Sequence, residues 1–185
     1  MNSIARKAIK FITMMMLGIA LVLATGVDVK AETNSNVAFY LARQPANVRS
    51  RLAKQGVTIN VMDQLDYSAP ELATTWAYTN MYGSLDNINR IEIVLQKGYE
   101  SALTHEVGHC ISNYGNIAYY WAKTPEFTAI TAAESHNSVF AAQGWDNPIE
   151  YFACAYAMYI DFPAALKQFH PMTYNYIQAV LAQTN

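Results

Sequence analysis

Two histidines and a glutamate near the middle of the chain are spaced for metal chemistry. Residues 105–109 read His-Glu-Val-Gly-His, so His105 and His109 are four positions apart. On a helix such residues lie on one face, a turn from each other, and both imidazoles can reach one tetrahedral zinc ion. Glu106 is rotated off that line and can take the proton of a metal-bound water. The pattern predicts a catalytic metal helix, and the alternative is a solvated helix that carries two histidines by chance.

The segments before this motif predict strands that would pack near its helix. Residues 90–95 read Arg-Ile-Glu-Ile-Val-Leu, which favours a strand, and a short loop separates them from a helix that begins near Glu100. Residues 57–62 alternate apolar and polar side chains over most of their length, as a strand does. Residues 72–81 favour a strand through their threonine and aromatic residues, although the first of them could begin a helical turn. Strand, loop and metal-binding helix follow in the order that a zinc protease requires.

Only helices are predicted after the motif. Proline is favoured at the first position of a helix, and it opens predicted helices at Pro125, Pro148, Pro163 and Pro171. No internal repeat, low-complexity tract or linker divides this part of the chain. We therefore predict the α+β class, with a small mixed sheet packed on the metal-binding helix and an all-helical C-terminal lobe.

A catalytic zinc ion takes three protein ligands and keeps one position for water. Glu150 is the favoured third ligand, because it begins an apolar helix where a carboxylate is costly to bury without a charge partner. Its alternative role is that of an acid favoured by the dipole at a helix N-terminus. Glu134 is the runner-up ligand. The other candidates after His109 are Glu126, His136, Asp146 and His170, and both histidines are interpreted as surface or loop residues.

The N-terminal segment predicts export. Arg6, Lys7 and Lys10 form a basic start, residues 11–27 carry no charge, and residues 29–31 are a plausible cleavage site. We therefore predict a signal peptide over residues 1–31, one domain over residues 32–185, and a secreted, extracellular protein. The alternative is an uncleaved membrane anchor.

The charge of the mature chain restricts its partners. Four of the 12 lysines and arginines and one of the 14 acidic residues lie within residues 1–31, which leaves a net charge of about −5. An acidic protein is poorly suited to bind nucleic acid or an anionic membrane surface. We therefore expect neither nucleic acid nor, after signal cleavage, a membrane as a partner.

The motif at 105–109 combines with a second motif over residues 147–156. The second reads Asn-x-x-Glu-x-Phe-Ala-x-Ala-Tyr. Together they resemble the catalytic domain of anthrax toxin lethal factor and its small secreted relatives, the Pro-Pro endopeptidases. The resemblance implies a zincin-like fold and one zinc ion per chain, held by His105, His109 and Glu150, with Glu106 as the base. It also implies hydrolysis of an extended peptide or protein substrate that contains proline.

Two positions depart from the family's pattern. The family has a tyrosine seven residues before the ligand glutamate, placed to stabilise the oxyanion, and that position here is Gln143. The amide of Gln143 or the ring of His136 is then the candidate donor, and losing one such donor costs about 100- to 1,000-fold in rate. The second position is residue 154, which is a cysteine here. The family tends to have an acid at this position, and a carboxylate can orient a histidine ligand.

The two cysteines of the chain are Cys110 and Cys154. Cys110 follows His109, and Cys154 is one turn after Glu150, so a shared metal would bring them close together. We predict a Cys110–Cys154 disulfide across the site. The alternative is a pair of small buried apolar residues.

Zincins bind substrates as an extra strand at a sheet edge, and residues 74–81 or 90–95 are the candidate edges. Trp76, Tyr78 and Tyr82 could form an aromatic wall for proline rings, or they could be ordinary core residues. Gln143 and Cys154 also motivate a different class of function, a catalytically impaired binding protein with the same fold. A toxin's enzymatic domain is a third, weaker interpretation.

Overall fold

A computed structural model describes residues 28–29, 34–65, 76–137 and 147–183. Within these ranges the chain forms four strands and seven α-helices, with short 3₁₀ turns at Glu100–Ala102, Trp121–Lys123 and Ser135–Asn137. The strands are β1 (Asp28–Val29), β2 (Thr58–Met62), β3 (Ala77–Ser84) and β4 (Asn87–Gln96). The helices are α1 (Ser35–Ala42), α2 (Ala46–Lys54), α3 (Leu103–Ile111), α4 (Pro125–Glu134), α5 (Pro148–Asp161), α6 (Pro163–Phe169) and α7 (Pro171–Ala182). The predicted α+β class is confirmed.

The sheet is mixed, and its strand order is β1-β2-β4-β3. β2 pairs in parallel with both β1 and β4, whereas β3 and β4 form an antiparallel hairpin in which Thr79 is opposite Ile93. Among the described residues, β3 is therefore the edge strand beside β4. The prediction that residues 90–95 could be an edge is wrong, because β4 is paired on both sides. The predicted strand at 72–81 is observed from residue 77 onward, and residues 72–75 lie outside the described ranges.

One face of the sheet packs against α3, the helix that carries the histidine motif. Ile59, Ile93 and Leu95 from the sheet are fully buried in the same core as Leu103 and Val107 of α3. Ile93 and Leu95 are two positions apart on β4, so their side chains lie on the same face of the sheet. Burying side chains of this size stabilises the fold by roughly 1.5–3 kcal/mol each. The helix that carries the histidine motif is thus anchored in the core from the sheet side.

The prolines mark the helix starts as predicted. Pro125, Pro148, Pro163 and Pro171 each occupy the first turn of their helix. Thr124 caps α4, because its Oγ1 accepts a hydrogen bond from Phe127 N at 3.1 Å. Asn147 caps α5 in the same way, accepting from Ile149 N at 3.0 Å. These local signals explain why the start of the helix that carries Glu150 could be predicted.

Glu134 stabilises the last helix and is no part of the metal cluster, so its role as the runner-up ligand is wrong. Its carboxylate accepts hydrogen bonds from Met172 N at 3.0 Å and from Thr173 N at 2.9 Å. It also accepts one from Thr173 Oγ1 at 2.6 Å. A carboxylate at a helix N-terminus satisfies free N–H groups and favours the helix dipole. Glu134 therefore joins α4 to α7.

His170 lies in the connection between α6 and α7, as predicted for a loop residue, but it is buried and not on the surface. Its Nδ1 lies 3.2 Å from the hydroxyl of Tyr151. The same hydroxyl lies 2.8 Å from Thr173 Oγ1. His170 thus belongs to a polar network inside the helical lobe.

We expect Glu134→Gln to lower the free energy of unfolding by about 2–3 kcal/mol. The amide retains one acceptor oxygen but replaces the other with a donor that faces the N–H groups of α7. The matched control is Glu126→Gln, an exposed acid in the first turn of the same helix, which should change stability by less than about 0.5 kcal/mol. Urea unfolding of both variants measures the difference. Equal stabilities would contradict the capping role.

The predicted boundary between a signal peptide over residues 1–31 and a domain over residues 32–185 stays a prediction. The short strand β1 lies within the N-terminal part. Among the described residues, no helix has the length and apolar character needed to cross a bilayer.

Candidate metal centre

His105, His109 and Glu150 come together between α3 and α5. The two histidine Nε2 atoms are 3.1 Å apart, and Glu150 Oε2 is 3.3 Å from His105 Nε2 and 3.6 Å from His109 Nε2. A tetrahedral ion with metal–ligand bonds of about 2.0–2.2 Å has ligand atoms roughly 3.3–3.6 Å apart. Two imidazoles and a carboxylate at this spacing therefore fit one divalent transition-metal ion. Glu150 is 46% exposed, so the cluster opens to solvent on that side.

The close approach of α3 to α5 depends on Gly108. A Cβ atom on this glycine would lie 2.7 Å from Ala153 Cα and 2.9 Å from the Ala153 carbonyl oxygen. The two helix backbones are thus almost in contact, which only a glycine at this position allows. Because Glu150 is on the turn before Ala153, this contact also brings its carboxylate to the two histidines.

His105 and Glu150 share a proton when no metal is bound. Partial burial lowers the pKa of His105, but hydrogen bonds to Cys154 and Glu150 outweigh this and raise it to about 10. Hydrogen bonds from His105 and His109 hold the pKa of Glu150 well below its usual range, although burial opposes them. His105 is therefore protonated at neutral pH in the metal-free protein.

Metal affinity is consequently expected to rise with pH. A raised His105 pKa means that the metal-free protein binds a proton that the metal-bound protein must release. One released proton gives about a tenfold gain in apparent zinc affinity per pH unit from roughly pH 6 to pH 9, below the raised pKa. Chelator competition at several pH values measures this slope. A flat profile would contradict the proton held between His105 and Glu150.

Glu106 is buried beside the cluster and contacts the edge strand. Its Oε2 accepts a hydrogen bond from Thr79 Oγ1 at 2.6 Å. Thr79 lies on the side of β3 that faces α3. The sequence alone did not identify Thr79 as a site residue, because the contact depends on how β3 packs on the helix.

Tyr119 is a second residue that the sequence did not assign to the site. Its ring meets the ring of His109 edge to face, with centroids 6.0 Å apart. Its backbone has a φ of 55°, which is uncommon for a residue with a side chain, and Asn113 Oδ1 accepts a hydrogen bond from its N–H at 2.9 Å. Burial raises the pKa of Tyr119, and the nearby Cys110, Glu150 and Glu106 raise it further. Tyr119 follows α3 in an irregular segment, and no sequence periodicity predicts that its ring lies beside His109.

The predicted disulfide is wrong, because Cys110 and Cys154 are both free thiols and both buried. Cys110 is one residue past His109, which rotates it by about 100° around the helix into the core. There it is within electrostatic range of Arg51, and burial raises the pKa of its thiol. Cys154 instead faces His105, with its Sγ 3.3 Å from Nδ1. It shares a helix face with Glu150, as its spacing predicted.

Of the two candidate oxyanion donors, only His136 lies within the described residues. His136 is exposed in the 3₁₀ turn Ser135–Asn137 after α4, and it is not one of the three clustered residues. Gln143 lies outside the described residues, as does the candidate ligand Asp146. Glu126 is exposed at the start of α4.

The predicted aromatic wall does not face the cluster. Side chains alternate along a strand, so Tyr78 and Tyr82 lie on the face of β3 opposite Thr79 and Glu106. Trp76 precedes the strand and stacks on Tyr99, with ring centroids 5.0 Å apart. Tyr78 and Tyr82 therefore do not line the metal cluster, and the wall interpretation of these aromatic residues stays a prediction.

Comparisons with known proteins agree with this architecture. Residues 71–180 match the family described as anthrax toxin lethal factor, N- and C-terminal domain. Among solved structures, the chain is similar to the Pro-Pro endopeptidase PPEP-2 from Paenibacillus alvei, with a TM-score of 0.53 and 19% sequence identity. That similarity covers 86% of this chain and 99% of the other, and it supports the zincin-like fold. A search of curated proteins finds no match. Because the family match spans more than half of the sequence and includes the whole cluster, this chain belongs to the anthrax toxin lethal factor family.

Proposed function

We propose that this protein is a secreted, zinc-dependent endopeptidase that hydrolyses peptide bonds with a metal-activated water. One zinc ion per chain would be held by His105, His109 and Glu150. The observation that carries the proposal is the convergence of these three ligand atoms within 4.8 Å of one another, with Glu106 buried beside them. Membership of the lethal factor family supports the same chemistry.

Glu106 acts as the general base. A bound zinc ion supplies a water whose pKa is lowered to about 7. Thr79 hydrogen-bonds one carboxylate oxygen of Glu106 and fixes its orientation, so that the other oxygen can accept a proton from the water. The protonated carboxyl group can then donate to the leaving amine. His105, His109 and Glu150 thus bind the metal, whereas Glu106 transfers the proton.

The edge strand β3 offers a place for an extended peptide substrate. An added strand would pair with the backbone groups on its outer side, the mode by which sheet edges bind peptides. Thr79 belongs to this strand and contacts Glu106, so a peptide paired with β3 would pass close to the base. We propose substrates with proline-containing sites, a preference that rests on the name of the similar Pro-Pro endopeptidase.

Secretion is part of the proposal and rests on the N-terminal sequence. Expression of the full chain in a secreting bacterial host should yield an extracellular protein whose first residue is Glu32. A protein that stays in the membrane with residues 11–27 attached would contradict this part.

The activity is tested with the secreted protein, loaded with zinc and incubated with a proline-rich peptide library that is analysed by mass spectrometry. Glu106→Gln is the parallel sample. Cleavage by the wild type alone is the expected result, and the products give the sequence preference. Bound zinc without cleavage by either protein would contradict the proposal and favour the catalytically impaired binding protein.

A further inference from the structure

Cys154 lies behind the metal cluster, on the side of His105 away from Glu150. Its Sγ is 3.3 Å from His105 Nδ1, while Nε2 of the same ring faces Glu150 Oε2 at 3.3 Å. Cys154 and Glu150 are one turn apart on α5, so they hold the His105 ring through both of its nitrogens. The thiol is almost fully buried, which shields this contact from water.

His109 lacks comparable support among the described residues. Its Nδ1 is buried and has no hydrogen-bond partner there. A histidine that binds a metal through one nitrogen normally donates its other N–H to an acceptor, which fixes both the tautomer and the ring orientation. In the described part of the chain, Cys154 is the one side chain within hydrogen-bonding distance of the outer nitrogen of either histidine.

We propose that Cys154 is a positioning residue that holds the Nδ1–H tautomer of His105 and thereby presents Nε2 to the metal. This inference rests on the proposed zinc-dependent function and adds a residue outside the ligand set. The His105 N–H donates to sulfur, which is a weaker acceptor than a carboxylate. A weaker acceptor raises the basicity of the ligand less, so this chain should bind its metal less tightly than a variant with a carboxylate at residue 154.

Zinc affinity separates this role from mere packing. Chelator competition is measured on the wild type and on Cys154→Ala, Cys154→Asp and Cys110→Ala. Cys154→Ala should bind zinc about 10- to 100-fold more weakly, since the acceptor is lost. Cys154→Asp should bind zinc more tightly than the wild type, because a carboxylate oxygen takes the place of the sulfur and is the stronger acceptor. Cys110→Ala is the matched control, a buried cysteine beside His109 on α3, and its zinc affinity should be unchanged.

Nitrogen NMR of the histidine side chains gives a second readout. In the zinc-loaded wild type, the Nδ1–H proton of His105 should exchange slowly with water, because it is bonded to the buried sulfur of Cys154. It should exchange faster in Cys154→Ala and slowly again in Cys154→Asp. The chain has four histidines, so the signals can be assigned by single substitutions.

Equal zinc affinity of the wild type and Cys154→Ala, with unchanged exchange at His105, would overturn this proposal even if the protein is a protease. A wild type that binds zinc but cleaves no peptide would contradict the proposed function alone. If Cys154→Ala does not fold, Cys154→Ser replaces it; because the C–O bond is shorter than the C–S bond, the hydroxyl falls short of His105 Nδ1, and the zinc affinity should again lie below that of the wild type. Equal affinities of the serine, cysteine and aspartate proteins would then overturn the proposal.

Discussion

Replacing Glu106 with glutamine should lower kcat/KM for peptide cleavage by about 100- to 10,000-fold, the usual contribution of a general base. The amide has the shape of the carboxylate, and its oxygen can still accept the hydrogen bond from Thr79, so the fold should persist. Zinc binding should persist as well, because Glu106 is not one of the three clustered ligands. Peptide cleavage and zinc affinity measured on the same preparation show this separation.

A graded control comes from Thr79→Val. This change keeps the base and removes the 2.6 Å hydrogen bond that orients it. A hydrogen bond to a charged group contributes about 1.5–3 kcal/mol, so a loss of roughly tenfold or more in rate is expected. Glu106→Gln should therefore be the more severe variant. Activity within tenfold of the wild type in Glu106→Gln would contradict the assigned mechanism.

Gly108→Ala is expected to damage stability and metal binding together. Alanine is favoured over glycine within a helix by about 1 kcal/mol, so propensity alone predicts stabilisation. The added Cβ, however, would lie 2.7 Å from Ala153 Cα and 2.9 Å from its carbonyl oxygen. Backbone atoms cannot rotate away as a flexible side chain can, and overpacking of this kind costs about 1–3 kcal/mol. The clash should win, and α3 and α5 should move apart.

The movement would separate the histidines of α3 from Glu150 of α5. We therefore expect Gly108→Ala to have a lower melting temperature and a zinc affinity reduced by at least about tenfold, by analogy with the loss of supporting contacts around a metal. Gly56→Ala is the control, since its φ is +61° but a Cβ there meets no atom within 4 Å. It should cost about 1 kcal/mol through backbone strain alone and leave zinc binding intact. Wild-type zinc affinity in Gly108→Ala would show that the helix contact is not needed.

Several features could be predicted because they depend on residues close together in the sequence. The four-residue spacing of His105 and His109 places both imidazoles on one helix face through helix geometry alone. The cap at Asn147 and the proline after it predict the start of α5, and with it the position of Glu150. The α+β class follows from the periodicities before and after the motif.

Other features depend on how distant segments pack, and local patterns do not contain that information. The contact of Thr79 with Glu106 depends on β3 being the edge strand that faces α3. The role of Glu134 depends on the packing of α4 against α7. The sequence alone suggested that Glu134 was a metal ligand. The predicted disulfide was wrong because one residue rotates the chain by about 100° on a helix, so Cys110 faces the core while its neighbour His109 faces His105 and Glu150.

By itself, the sequence determined the metal-binding helix, the helix starts and the set of candidate ligands, since these depend on spacing and backbone chemistry. Tertiary structure alone decided which partner each side chain meets. Gly108 lets two backbones touch, Glu150 thereby reaches the histidines, and Cys154 comes to lie behind His105. The physical reason is that these contacts are set by the close packing of α3 against α5 and the sheet, in which a shift of one residue changes every neighbour.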